Sequence, residues 1–309
     1  MENSSIICDD ITDLCVDSAT STVFLSIDTF CLILHVINIF FLKMLEKSKR
    51  TAYFWIVVNI SICDIMTCST FFLAIFCELN KRLITLSVVG ARTFQVTVTI
   101  FAFSSFVARN FVLAIGTYEW HISICHPLQV ESNKIVNNMK LCVGAAWIIS
   151  FVLLTIFILT DSAEYCFGEF GALIDKPNNQ TKVAFAGSIT TTFITSAICL
   201  SKVWRELQRM QSRNAVYTPD DLIVKRSAQY IRVVSIALYL SYIPTVMSAV
   251  FNSVDVISKS IRNMIRWIAY FYMTVSSISN VLLYFLMTPG YHIQVMKLLR
   301  LRTPTVEPQ

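Results

Sequence analysis

Seven stretches of this chain are long and apolar enough to cross a lipid bilayer as helices, and no other feature of the sequence restricts its fold as much. Crossing about 30 Å of hydrocarbon takes roughly 20 helical residues, because in lipid every backbone N–H and C=O must find its partner inside the segment. The expected spans are Ser21–Leu42, Tyr53–Phe76, Arg92–Ser123, Met139–Leu159, Val183–Trp204, Ser227–Val250 and Met264–Met287. The fold class that follows is all-α, a seven-transmembrane helix bundle. It divides the chain into an extracellular amino terminus (1–20), a transmembrane domain (21–287) and a cytoplasmic tail (288–309). Composition agrees: 55% of the 309 residues are hydrophobic and 15% charged, with a mean hydropathy of +0.62, outside the range of a water-soluble domain of this length.

After the seventh span, Thr288-Pro289-Gly290 breaks the helix, and Tyr291–Leu301 alternates apolar residues with His292, Lys297 and Arg300. That pattern predicts a short amphipathic eighth helix on the inner leaflet, with membrane lipid as its partner. The residues after it, Thr303–Gln309, are expected to be disordered. The chain starts with Glu2, Asp9, Asp10, Asp13 and Asp17 and no basic residue, so the first apolar run is expected to be an anchor and not a cleaved signal.

Basic residues set the orientation. Lys43, Lys47, Lys49 and Arg50 follow the first span, Lys134 and Lys140 the third, Arg205, Arg209, Arg213, Lys225 and Arg226 the fifth, and Lys297, Arg300 and Arg302 the seventh. These segments are expected in the cytoplasm and the acidic amino terminus outside, at the plasma membrane. Glycan acceptors at Asn3 and Asn179 fall on the same outer side, whereas a third sequon, at Asn59, is inside span two and should be silent. Because the basic clusters flank apolar runs, the net charge of +5 does not imply a nucleic-acid partner. The ten cysteines form no CxxC pair, so neither a metal nor a cofactor is expected. The four histidines, His35, His121, His126 and His292, form no recognisable catalytic set, and enzymatic activity is not expected.

Span three ends in Leu113-Ala114-Ile115-Gly116-Thr117-Tyr118-Glu119-Trp120-His121-Ile122-Ser123-Ile124-Cys125-His126-Pro127-Leu128. This resembles the signature of the rhodopsin-like G-protein-coupled receptors, in which an acid, an arginine and a tyrosine precede a stretch ending I-C-H-P-L. That form is most typical of odorant receptors, and the looseness elsewhere is most like their divergent members in fish. Asn38, Asn59 with Asp64, Trp147, Tyr242-Ile243-Pro244, and Asn280 with Tyr284 fall in the same frame in spans one, two, four, six and seven. Trp147 or Pro244 alone reads as ordinary packing or a helix kink; the conjunction carries the resemblance.

The resemblance implies a chemosensory receptor that binds a small ligand in the outer half of the bundle and signals to a heterotrimeric G protein inside. The ligand-facing positions it implies are Ala102, Phe103, Phe106, Tyr242 and Tyr270, with Thr191 and Thr195 as hydrogen-bonding groups; they suit an apolar or weakly polar ligand. Amine receptors carry an aspartate at the position matched by Ala102, so an amine anchored in that way is not expected. Coupling and switching fall to Glu119, Trp120, His121, Asn280 and Tyr284. Trp120 stands where the family has arginine, and an indole has one N–H donor and no charge. Two readings stay open: altered coupling, or Trp120 and His121 as interfacial aromatics. The family's disulfide would involve Cys166, but span three offers no partner; Cys166 is either free or bridged to Cys77, Cys8 or Cys15. Cys31, Cys63, Cys68, Cys142 and Cys199 read as packing residues inside spans. Two rival readings are a rhodopsin-like receptor for a peptide or lipid, and a transporter or channel using Asp64, Arg109 and Glu119 as intramembrane charges.

Asp64 and Arg109 also carry an expectation of their own. Asp64 lies roughly 16 Å into span two and Arg109 roughly 15 Å from the inner end of span three, at 1.5 Å per residue. A charge at that depth costs at least about 2.5–3.5 kcal/mol. An intramembrane ion pair between them is therefore expected, with Asn280 close by; the alternative is an Arg109 that snorkels or meets water.

The topology predicts that Asn3 and Asn179 carry glycans and Asn59 does not, read as gel mobility before and after deglycosylation in Asn→Gln variants. A glycan on a sequon engineered between Trp204 and Ser227 would contradict the orientation.

Overall fold

The computed structural model describes residues 18–44, 52–79, 88–130, 132–160, 179–212 and 259–287, with scattered positions between 232 and 240 and between 291 and 299. Six long helices emerge: α1 (Ser18–Met44), α2 (Ala52–Leu79), α3 (Val88–Cys125), α4 (Met139–Thr160), α5 (Asn179–Ser212) and α6 (Lys259–Met287), the last being the seventh expected span. Most run past the expected boundaries, since a backbone hydrogen-bond ladder need not stop where the hydrocarbon ends. Between α3 and α4 come a 3-10 turn at Pro127–Gln129 and a single helical turn at Lys134–Asn137, the latter capped by Asn133, whose side chain accepts from the amides of Ile135 and Val136.

Among the described residues, four helices are apolar enough to cross a membrane: Thr22–Met44, Phe54–Leu73, Val96–Cys125 and Met139–Thr160. α5 and α6, at 34 and 29 residues, have the length but more polar sequences. Most of the expected sixth span, Ser227–Val250, lies outside the described residues, although Arg232, Val233, Ile236 and Leu240 within it are helical. The break at Thr288–Gly290 is also outside them. Beyond it Tyr291, Val295, Met296 and Lys297 are helical, with Tyr291 and Val295 buried and Lys297 exposed.

The distribution of polarity is that of a protein dissolved in lipid. α1 exposes Phe30, Ile33, Ile37 and Phe40 and buries Asp28, Cys31, His35 and Asn38. α4 exposes Ile148, Ile149, Val152, Ile156 and Leu159 and buries Ser150. In water these stripes would be large apolar patches; against acyl chains they cost nothing. α3 lies in the middle, packed against α2, α4 and α5, and 72% of its apolar stretch is buried against 28% for α1 and α4.

Side-chain contacts give each helix its direction. Asn38 meets Ser61, His35 meets Asp64 and Cys31 meets Cys68, so each step down α1 matches an equal step up α2. The two are antiparallel. Thr67 meets Ser105, and a Cβ on Gly116 would lie 3.0 Å from Cδ1 of Ile56; α2 and α3 are therefore antiparallel too, and close where Gly116 has no side chain. α5 runs parallel to α3: Phe106 stacks on Phe185, and Thr117, eleven residues on, donates to Ser196, eleven residues on from Phe185.

Candidate functional site

The centre of the bundle holds a group of polar side chains with almost no solvent exposure. Asp64 of α2 is 1% exposed, and three helices supply its partners. Arg109 of α3 brings a guanidinium nitrogen to 3.1 Å from its Oδ1. Asn280 of α6 donates to Oδ2 at 3.4 Å, and Nε2 of His35 in α1 stands 3.6 Å from the same oxygen. His35 Nε2 also meets Ser277 Oγ of α6 at 2.8 Å. One carboxylate thus joins four helices. Asp64 and Arg109 stand near the midpoints of α2 and α3, and His35 and Asn280 reach them from the second halves of α1 and α6. Their burial in low dielectric makes each contact necessary, since an isolated ion there loses several kcal/mol of hydration.

Towards the end of the bundle carrying the 3-10 turn, a second row continues the first. Asn38 donates to Ser61 at 3.0 Å and accepts from the Tyr291 hydroxyl at 2.7 Å. Burial pushes the Tyr291 phenol well above its ordinary range, so it remains a donor at any physiological pH. Its ring lies against Tyr284 of α6 with centroids 4.9 Å apart. Trp147 Nε1 donates to Asn59 Oδ1 at 3.1 Å, and Asn59 donates to the Trp55 carbonyl at 2.7 Å. The amide of that inner sequon is therefore already engaged within the bundle.

The acid-Trp-His triplet sits at this end of the bundle as well, near the carboxyl end of α3. Ser123 donates to Glu119 at 3.0 Å. Trp120 is 7% exposed and belongs to the main apolar cluster, and His121 is also buried, its ring 5.3 Å from that of His126. Trp120 is packed among the helices, with its indole buried in apolar surroundings.

At the opposite end, α3 and α5 bring aromatic rings together. Phe185 stands edge-on to Phe103 at 5.0 Å and stacks on Phe106 at 5.5 Å, beside the buried Ala102. Phe185 has no motif to announce it; its spacing of seven residues from Thr192 and eleven from Ser196, on one helical face, was the available signal. Thr191 and Thr195 do not join this group. Both are exposed, with hydroxyls bonded to the carbonyls of Gly187 and Thr191 in their own helix, while Thr192 and Ser196 occupy the buried face. Tyr270 lies in α6 with its side chain outside the described residues, as is that of Cys77 in α2; Tyr242, Asn3, Cys8, Cys15 and Cys166 lie outside them altogether. Asn179 is the first residue of α5.

No family model matches the chain. Over 109 residues it is 34% identical to the human protein named Olfactory receptor 2M4, a segment amounting to 35% of this chain and 32% of the relative. The chain therefore matches about a third of that relative's length. The fold and this likeness together define a helical membrane protein with a distant, partial relation to an olfactory receptor.

If Arg109 and Asp64 neutralise each other, removing one charge leaves the other buried and unpaired, a loss on the order of 3–5 kcal/mol, and removing both costs less. Asp64→Asn and Arg109→Gln are each expected to lower the folded fraction at the cell surface sharply, and the double variant to recover much of it. Additive losses would contradict the pairing.

Proposed function

We propose that this protein is a seven-span chemosensory receptor of the rhodopsin-like kind, with its amino terminus outside, that takes a small apolar or weakly polar ligand in the outer half of the bundle and passes the signal to a G protein in the cytoplasm. One observation carries the reading. Asn38, Asn59, Asp64, Trp147, Asn280 and Tyr284, matched one by one to the markers of that family, are scattered over most of the sequence yet meet across helix interfaces, Asn59 with Trp147, Asp64 with Asn280, and Asn38 and Tyr284 through Tyr291. The likeness to an olfactory receptor supports the chemosensory class.

The count of seven has a topological argument. α1 and α6 run in the same direction, because Ser277 meets Cys31 and His35 while Tyr291, further along, meets Asn38. α5 also runs parallel to α3 and hence to α1. Two consecutive helices of one direction require a return crossing between them, and Ser227–Val250 is the apolar stretch available to make it. Arg232, whose guanidinium lies 3.9 Å over the Trp204 ring near the end of α5, fits such a neighbour.

In this reading the ligand lies against Phe103, Phe106 and Phe185, with Tyr242 and Tyr270 completing the wall and Thr192 and Ser196 supplying the hydroxyls of α5. Glu119, Trp120, His121 and Tyr284 form the coupling end, and Asn280, bonded to Asp64, links it to the centre of the bundle. An arginine in place of Trp120 would present a long cation towards the cytoplasm where the indole now fills apolar space.

Coupling limited by the missing guanidinium predicts that Trp120→Arg raises basal or odorant-dependent second-messenger output several-fold in cells supplied with olfactory and promiscuous G proteins. Equal surface expression with no gain in signal would show that Trp120 does not limit coupling.

A further inference from the structure

We propose that Cys31 and Cys68 form a redox-modifiable thiol pair that closes to a disulfide between α1 and α2 in the presence of a small peroxide. The Cys68 thiol donates to the Cys31 sulfur at 3.4 Å, and both residues are buried and unbridged. The contact is fixed by register. Asn38 with Ser61 and His35 with Asp64 are the two rungs before it on the same antiparallel pair of helices, and each of those is held by hydrogen bonding or charge. Neither sulfur can drift away without breaking the rungs below.

A disulfide requires the sulfurs to close to about 2 Å, which rotation of two side chains can supply when the starting separation is this small. The product is neutral. Both sulfurs are almost fully buried, so the oxidant has to be as small and uncharged as hydrogen peroxide.

The chemistry balances with hydrogen peroxide as the oxidant. The Cys31 sulfur attacks one peroxide oxygen, the O–O bond breaks, and the departing oxygen leaves as water with the thiol proton. The resulting sulfenic acid is attacked by the Cys68 sulfur, the S–O bond breaks, and a second water leaves with the second thiol proton. Two thiols are oxidised and one peroxide is reduced.

Closure would reach a third helix. The Cys31 thiol also donates to Ser277 Oγ of α6 at 3.4 Å, and a disulfide sulfur has no proton to give. Oxidation would therefore join α1 to α2 while removing one of the two bonds that the Ser277 hydroxyl makes with α1.

The test uses the full chain in membranes, tagged at the amino terminus, with Cys8→Ser and Cys15→Ser to silence the other thiols ahead of the cleavage sites. After hydrogen peroxide and alkylation of the remaining thiols, trypsin cuts at Lys43, Lys47, Lys49 or Arg50, and fragments are separated without reductant. The tagged fragment is expected to stay joined to the peptide carrying Cys68, to be released by dithiothreitol, and to be released without it when Cys31→Ser or Cys68→Ser is added. Release from the oxidised parent without reductant would overturn the proposal. So would retention in both serine variants.

Discussion

The contact between Arg109 and Asp64 is the constraint around which the rest of this bundle is arranged. Two opposite charges, each at most 5% exposed in its side chain, are stable in a lipid-bound protein only when they face each other. Asp64 takes a donor from α6 and a histidine ring from α1 besides the guanidinium from α3, so the azimuth and depth of four helices are fixed by one side chain. Moving any of the four by a turn would leave a buried charge or dipole unsatisfied. That penalty exceeds any gain the lipid-facing surfaces could return.

The inverted polarity explains why polar rungs organise the structure at all. Apolar side chains are as content in acyl chains as against another helix, so burial of Phe or Ile contributes little to choosing a neighbour. Interhelical hydrogen bonds contribute about 0.6–2 kcal/mol each but are selective in register. The run of rungs from Cys31 with Cys68, through His35 with Asp64, to Asn38 with Ser61 sets the α1–α2 register. The row of Trp147 with Asn59 does the same for α2 and α4. Apolar packing is still close where it matters, as at Gly116 under Ile56, but it completes an arrangement that the polar groups specify.

Much of this was legible in the sequence because hydropathy and depth are one-dimensional. The positions of α1 to α4 follow from apolar runs, and the approach of Asp64 to Arg109 follows from counting residues inward from span ends. What could not be read is which face of each helix meets which neighbour. α5 shows the limit: Ser188-Ile189-Thr190-Thr191-Thr192-Phe193-Ile194-Thr195-Ser196 puts small hydroxyl residues on every side, so Thr191 and Thr195 could not be separated from Thr192 and Ser196 by polarity. Their exposure is a consequence of Phe185 and Ile189 turning inward. His35 and the Cys31–Cys68 contact escaped for a related reason. Histidine and cysteine in an apolar run look like packing until the antiparallel register brings an aspartate and a second thiol opposite them. Trp120, in turn, became informative only through burial, since an aromatic residue near a membrane boundary has two environments open to it.

The most direct test of this account is dipolar-recoupling solid-state NMR of the protein in lipid bilayers, with arginine side chains labelled in nitrogen-15 and aspartate carboxyls in carbon-13. The account predicts a strong short-range coupling between a guanidinium and a carboxylate, at the carboxyl resonance that disappears in Asp64→Asn, and the loss of that coupling in Arg109→Gln. A wild-type spectrum in which that carboxyl has no arginine nitrogen within contact range would show that the two charges are apart and that something else holds the helices in register.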